Sequence, residues 1–178
     1  MGGAVVDADA LAAAALRQGD VKAEIAATFG TDVLDGSGAI DRAVLAARVF
    51  DDAQARERLE AIVHPRVARS REVEDRRLAQ ADPPPPMIVH DVPLLFETGM
   101  DRQMDAVVVV DAPRPLRLHR LAARSGWGEA EIARREAAQW SGARKRAGAD
   151  LVIDNDASEA ILRERVREVW VRLTTRRR

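Results

Sequence analysis

The sequence has no cysteine. That excludes disulfides, thiolate zinc sites and cysteine nucleophiles, and it fits a cytoplasmic location without requiring one. Neither sign of charge is in excess. The 28 Lys and Arg stand against 29 Asp and Glu, for a net charge of −1, so a strongly basic nucleic-acid binder is not expected. No apolar run approaches the roughly 18 residues that a membrane helix needs, and no membrane partner is expected. The opening residues, MGGAVVDADA, lack a basic stretch followed by a long apolar one, so no secretory signal is expected there. Lysine is scarce: Lys22 and Lys145 are the only two among 178 residues. There is no Gly-x-Ser-x-Gly nucleophile elbow, and His64, His90 and His119 do not have metal-ligand spacing. What the sequence does have is an apolar content of 47%, ordinary for a globular core. Its length suits one domain, or one domain with a small insert.

Segments rich in β-branched residues run over Ala4 to Val6, Met87 to Val92, Ala106 to Val110 and Leu151 to Ile153. Short apolar runs of this kind read as buried parallel strands. Helical patterns lie between them. Val21, Ile25 and Phe29 share a face, and Leu59, Ile62, Val63 and Val67 follow on a long helix that Asp51 or Asp52 would cap. Pro65 is expected to kink or divide that helix. Pro113 and Pro115 mark a helix start before Leu118 and Leu121. Leu162, Val166, Val169 and Leu173 mark a final amphipathic helix. Strands alternating with helices predict an α/β fold with a parallel sheet. The run Pro83 to Pro86 reads as a stiff spacer loop, and Arg176 to Arg178 as a short frayed tail.

In open α/β sheets, ligands bind beyond the carboxyl ends of the strands. Here the four strands end in Asp7-Ala8-Asp9, in Asp91-Val92-Pro93, in Asp111 and in Asp154-Asn155-Asp156. Such carboxylates serve as general bases or hold Mg²⁺. A single one is more often a helix cap, whereas four on one sheet edge favour a site. Arg117, Arg120 and Arg124 recur at helical spacing, followed by Arg134, Arg135, Arg144, Lys145 and Arg146. Guanidinium forks bind phosphate bidentately. The alternative is a solvated helix face.

Several blocks in order resemble the dephospho-coenzyme A kinase family along nearly the whole chain. They are Val5-Val6-Asp7-Ala8-Asp9-Ala10-Leu11, Phe29-Gly30, Gly38-Ala39-Ile40-Asp41-Arg42 and Leu59-Glu60-Ala61-Ile62-Val63-His64-Pro65. Then come Asp91-Val92-Pro93-Leu94-Leu95-Phe96-Glu97, Val109-Val110-Asp111, Arg120-Leu121 with Arg124, Gln139, and Ala149 to Asn155. The resemblance implies a three-layer α/β/α P-loop kinase fold over 1–178 as a single domain. A helical substrate-binding insert would span about 12–80 and a lid about 124–146. It implies transfer of the ATP γ-phosphoryl group to the ribose 3′-hydroxyl of dephospho-CoA, the last step of coenzyme A synthesis, with Mg²⁺ as cofactor. By family position Asp9 orients or deprotonates the acceptor hydroxyl, with Asp7 beside it. Arg120 and Arg124 act on the phosphates. Gln139, Arg144, Lys145 and Asn155 are expected at the nucleotide, and Asp91, Pro93, Leu94, Leu95 and His64 at the acceptor. The metal ligands and the oligomeric state are not implied. Trp127 and Trp140 fall in the expected lid.

The chain departs from the family pattern. Arg117 stands where the family usually has Gln, Glu136 where it has an apolar residue, and Gln18-Gly19-Asp20 where it has a Pro-Gly turn. A kinase of this fold opens with a strand, Gly-x-x-x-x-Gly-Lys-Ser/Thr and a helix, whose backbone cradles the phosphates. No such motif occurs in these 178 residues. A strand, loop and helix amount to about 25 residues. Either Met1 lies inside a longer chain, or the segment is absent from the protein. Without that central strand, the chain alone is expected to be poorly stable and to show no more than trace kinase activity. Two other readings stand beside the kinase. One is a non-catalytic relative that binds dephospho-CoA or a protein partner. The other is a haloacid-dehalogenase-like phosphatase, for which Asp7, Asp9, Lys145, Asp150 and Asp154 follow a suitable order but Ala10 does not.

Overall fold

The computed structural model describes residues 2–50 and 52–175. Asp51 and the tail 176–178 lie outside the described residues. The chain falls into two compact units, Gly2–Val92 and Pro93–Arg178.

In the first unit β1 (Ala4–Asp7) leads directly into α1 (Ala8–Ala15), and α2 (Gly19–Phe29), α3 (Arg42–Phe50) and α4 (Ala53–Ala79) follow before β2 (Ile88–Asp91). Asp7 supplies the cap that starts α1, its Oδ1 accepting the Ala10 N–H at 2.9 Å. Asp52 does the same for α4, accepting from Ala55 at 3.0 Å. The strands pair in parallel with Val5 opposite Val89 and Asp7 opposite Asp91. The core of this unit is helical. Val21, Ile25 and Phe29 on α2 pack with Val33, Leu45, Ala55 and Ile62, as the spacing along α2 predicts.

Pro65 does not divide α4. The helix runs unbroken over 27 residues with the proline inside it. A proline removes one backbone donor and crowds the carbonyls of the preceding turn. In that turn the Arg66 guanidinium donates to the Ile62 carbonyl at 3.2 Å, and the burial of Ala55, Ile62 and Leu78 holds both halves.

In the second unit β3 (Val108–Asp111) is followed by α5 (Arg114–Ser125), α6 (Glu129–Ala137), α7 (Gly142–Gly148), β4 (Leu151–Asp154) and α8 (Glu159–Thr175). Pro113 caps α5 and Gly126 ends it in the left-handed region at φ 66°. β3 and β4 pair in parallel, Val110 opposite Ile153 and Asp111 opposite Asp154. Leu151 and Ile153 are buried, with Phe96, Val107 and Ile132.

The four strand-end aspartates expected on one sheet edge fall in two hydrogen-bonded strand pairs, Asp7 with Asp91 and Asp111 with Asp154. Among the described residues each pair of strands forms a two-stranded sheet of its own. No described strand hydrogen-bonds to both pairs, so each unit carries one carboxylate-bearing edge. No described helix is long and apolar enough to cross a membrane.

Candidate functional site

The edge of the first unit carries Asp7 and Asp91 side by side, because they are register partners at the carboxyl ends of β1 and β2. Asp9 lies in the first turn of α1, which the Asp7 cap orients. All three side chains are exposed. Asp7 therefore serves as a helix cap, and by capping α1 it fixes where Asp9 sits. His64 is exposed midway along α4. Among the described residues no hydrogen bond joins it to the strand-end group.

The edge of the second unit is dense with charge. Asp111 accepts from Arg117 Nη1 at 3.3 Å and from Arg146 Nη1 at 3.1 Å. Arg146 also reaches Asp154 at 2.6 Å, so it bridges two strand ends. Those two carboxylates raise the already high Arg146 pKa further, Asp154 more than Asp111. Arg117 donates on to the Ala112 carbonyl and to Glu136 on α6, each at 2.8 Å. Arg117 and then Arg114 hold the Glu136 carboxyl below the usual carboxylate range.

Beside this cluster lies a cavity of about 420 Å³ lined by Arg117, Arg120, Leu121, Arg124 and Asn155, with Val110 to Ala112 at its floor. Arg120 Nη1 donates to the Asn155 carbonyl at 2.9 Å, and the Asn155 N–H donates to the Asp111 carbonyl at 2.6 Å. These bonds fix the loop after β4 against α5. The cavity offers guanidinium groups for phosphate and a planar amide for a base edge. It thus gathers three of the expected residues, Arg120, Arg124 and Asn155.

Gln139, Arg144 and Lys145 go elsewhere in the unit. Lys145 Nζ meets Gln139 Oε1 at 2.9 Å, the Pro93 carbonyl at 3.2 Å and Glu97 Oε1 at 3.2 Å. The Arg144 guanidinium covers the Trp140 ring at 3.3 Å, and Phe96 stacks on that ring with centroids 5.3 Å apart. Pro93 joins this group through its carbonyl. Leu94 is exposed and Leu95 half-buried, and the Leu94 carbonyl accepts the Thr98 hydroxyl at 2.9 Å. Asp150, which the phosphatase ordering requires, holds the Val107 N–H at 2.8 Å.

The sequence reading left Glu97, Arg146 and Asp111 out of the site residues. Asp111 and Arg146 carried a signal, a strand-end carboxylate and a cation run. Glu97 carried a signal too, as the last residue of the Asp91-to-Glu97 block of the family resemblance.

Mg²⁺ takes hard oxygen donors, keeps several waters and relies on phosphate oxygens for much of its shell. The exposed carboxylates of Asp7, Asp9 and Asp91 are donors of that type. Among the described residues no three His, Asp or Glu side chains converge as a metal cage, so such an ion would depend on its phosphate ligand.

The dephospho-CoA kinase family model matches residues 1–160. A dephospho-CoA kinase of Anaeromyxobacter dehalogenans is 50% identical over 162 residues, spanning 90% of this chain and 76% of that protein. The crystal structure of TT1252 from Thermus thermophilus superposes with a TM-score of 0.83 at 36% identity, covering 97% of this chain and 85% of the other. A dephospho-CoA kinase from Campylobacter jejuni shares the fold, with a TM-score of 0.68 at 24% identity and coverage of 98% and 86%. The short parallel strands, the helices around them and the strand-end chemistry thus fall within one family, and the chain belongs to the dephospho-CoA kinases.

Proposed function

We propose that this chain supplies the acceptor-orienting and lid parts of an ATP-dependent kinase acting on the ribose 3′-hydroxyl of dephospho-CoA. The observation that carries the reading is the cavity lined by Arg120, Arg124 and Asn155 at the carboxyl ends of β3 and β4. It suits the phosphates and base of ATP, because guanidinium groups offset phosphoryl charge and the amide pairs with a base edge. Mg²⁺, when bound with ATP, would supply charge neutralisation on the phosphates, with Asp7 or Asp91 as its protein ligand.

Asp9 is the residue we assign to the acceptor hydroxyl. It accepts the 3′-hydroxyl proton as the ribose oxygen bonds to the γ-phosphorus. The bond from that phosphorus to the bridging oxygen breaks, and ADP leaves. Asp7 holds Asp9 in place through its cap. Residues 12–80 form the acceptor-binding insert, with His64 as its candidate contact, and Asp91, Pro93, Leu94 and Leu95 are further candidates outside it. Residues 124–146 form the lid, within which Gln139, Arg144 and Lys145 shape the approach to the phosphates. Since the sequence holds no Gly-x-x-x-x-Gly-Lys-Ser/Thr, we expect only trace turnover from these residues alone.

The test is coenzyme A formation from ATP, Mg²⁺ and dephospho-CoA, followed by mass spectrometry, with the chain alone and joined to a P-loop-bearing segment of a relative. Trace product that rises on joining supports the reading. Full activity from the chain alone overturns the expectation of trace turnover. Saturable dephospho-CoA binding with no ATP binding and no rescue would replace the kinase with a non-catalytic binder.

A further inference from the structure

Lys145 is one of only two lysines, and its ammonium is engaged at the 93–97 segment. Its partner Glu97 Oε1 also accepts the Trp140 backbone N–H at 2.7 Å. One carboxylate oxygen therefore collects a donor from just before α7 and another from within it. Phe96, the neighbour of Glu97, stacks on Trp140. At the far end of α7, a Cβ on Gly148 would stand 2.9 Å from Phe96 Cε1. The 93–97 segment thus grips α7 ahead of its start, along its body and at its last residue.

The charge of Glu97 is not what packing alone would select. Its side chain is 16% exposed and that of Lys145 18%, and Glu97 Oε2 is buried without a hydrogen-bond partner. Burying a half-satisfied carboxylate is costly. A glutamine would hold the Trp140 N–H without burying a charge. Burial pushes the carboxyl up, but the N–H groups of Trp140 and Glu97 and the Lys145 ammonium together keep it below the usual carboxylate range. What the charge adds is the tie to Lys145. What that tie controls is α7, which bears Arg146 across the Asp111 and Asp154 strand ends.

We propose that Glu97 is a positioning residue: through the Trp140 N–H and Lys145 it fixes α7, and with it the Arg146 bridge to Asp111, which lines the cavity assigned to ATP. This rests on the functional reading above. Glu97 touches no reacting atom, and its effect runs through the helix.

The test compares Glu97→Ala and Glu97→Gln with the unsubstituted chain by ATP and dephospho-CoA titration calorimetry and by amide hydrogen exchange. Loss of a charge-assisted hydrogen bond is expected to speed Trp140 exchange about tenfold in Glu97→Ala and to weaken ATP binding by about the same factor. Glu97→Gln, which keeps the acceptor and loses the charge, is expected to retain Trp140 protection and to bind ATP with intermediate affinity. Dephospho-CoA affinity is expected to fall less than ATP affinity in both. If Glu97→Ala does not fold, Glu97→Gln decides alone. ATP affinity equal to the parent's overturns the proposal, as does an equal fall in both ligand affinities, which marks a merely structural role. An unsubstituted chain that binds neither ligand overturns the functional reading, and this inference falls with it. A parent that binds both, with variants that bind equally well, overturns this inference alone.

Discussion

Arg117 and Glu136 pair with each other across 19 residues at 2.8 Å. The pair ties α6 to the start of α5. Arg114 joins the same carboxylate at 3.0 Å.

A double-mutant cycle measures this link. Both side chains are about one-third exposed, so solvent screening limits the pair, and a coupling of about 0.5–1 kcal/mol is expected between Arg117→Ala and Glu136→Ala. Urea unfolding of the four proteins provides it. A coupling of zero would mean that the pair adds nothing to stability.

Acid should weaken the second unit through the same carboxylates. Glu136 and Glu97 both have folded-state pKa values below the ordinary carboxylate value. A lowered folded pKa contributes stability that is fully present above the unfolded value of about 4.3 and is lost as pH falls through the folded one. Unfolding midpoints in urea should hold steady from pH 7 to about 5 and fall below about 4.3. Glu136→Gln should flatten part of that fall.

The helical core of the first unit sets a separate prediction. Ile25 is fully buried on α2 amid Val21, Phe29 and Val33. Ile25→Ala should cost about 2–5 kcal/mol, from lost transfer energy and a residual cavity. Denaturant melts give the value directly, and a cost below about 1 kcal/mol would show that the site collapses around the change.

Two substitutions separate the roles in phosphoryl transfer. With a P-loop-bearing segment joined, Asp9→Asn should lower kcat by about 10²–10⁴-fold, the range for losing a general base, with little change in the KM for dephospho-CoA. Arg120→Ala should act on ATP, weakening its binding about tenfold as a charge-assisted contact and the Asn155 tie are lost. A larger effect of Arg120→Ala on dephospho-CoA than on ATP would reverse the assignment.

Much of this architecture was legible in the sequence. All four strands lie within a residue or two of the apolar runs, because β-branched clusters flanked by Asp and Pro leave few other options. The face of Val21, Ile25 and Phe29 is the core it was read to be. What escaped was decided by distant partners. Pro65 predicts a break, yet α4 runs through it because packing on both sides outweighs one lost backbone bond. Lys145 reads as a phosphate ligand by its place among arginines, and only the structure brings Glu97 and Gln139 to it. The pairing of β1 with β2 and of β3 with β4 also comes from the structure, since strand order is not written in local spacing.

The unbroken course of α4 has a mechanical consequence. Ile62 sits in the helical core, while thirteen residues further on (75 − 62) Asp75 stands 3.3 Å from His90 of β2. At 1.5 Å per residue those points are roughly 20 Å apart on one rigid rod. A small tilt where the rod meets α2 and α3 is therefore carried as a lever stroke to the strand whose end bears Asp91. α4 also packs on α1 and touches β1, so a shift of the helical core would reach that edge both along the rod and through those contacts.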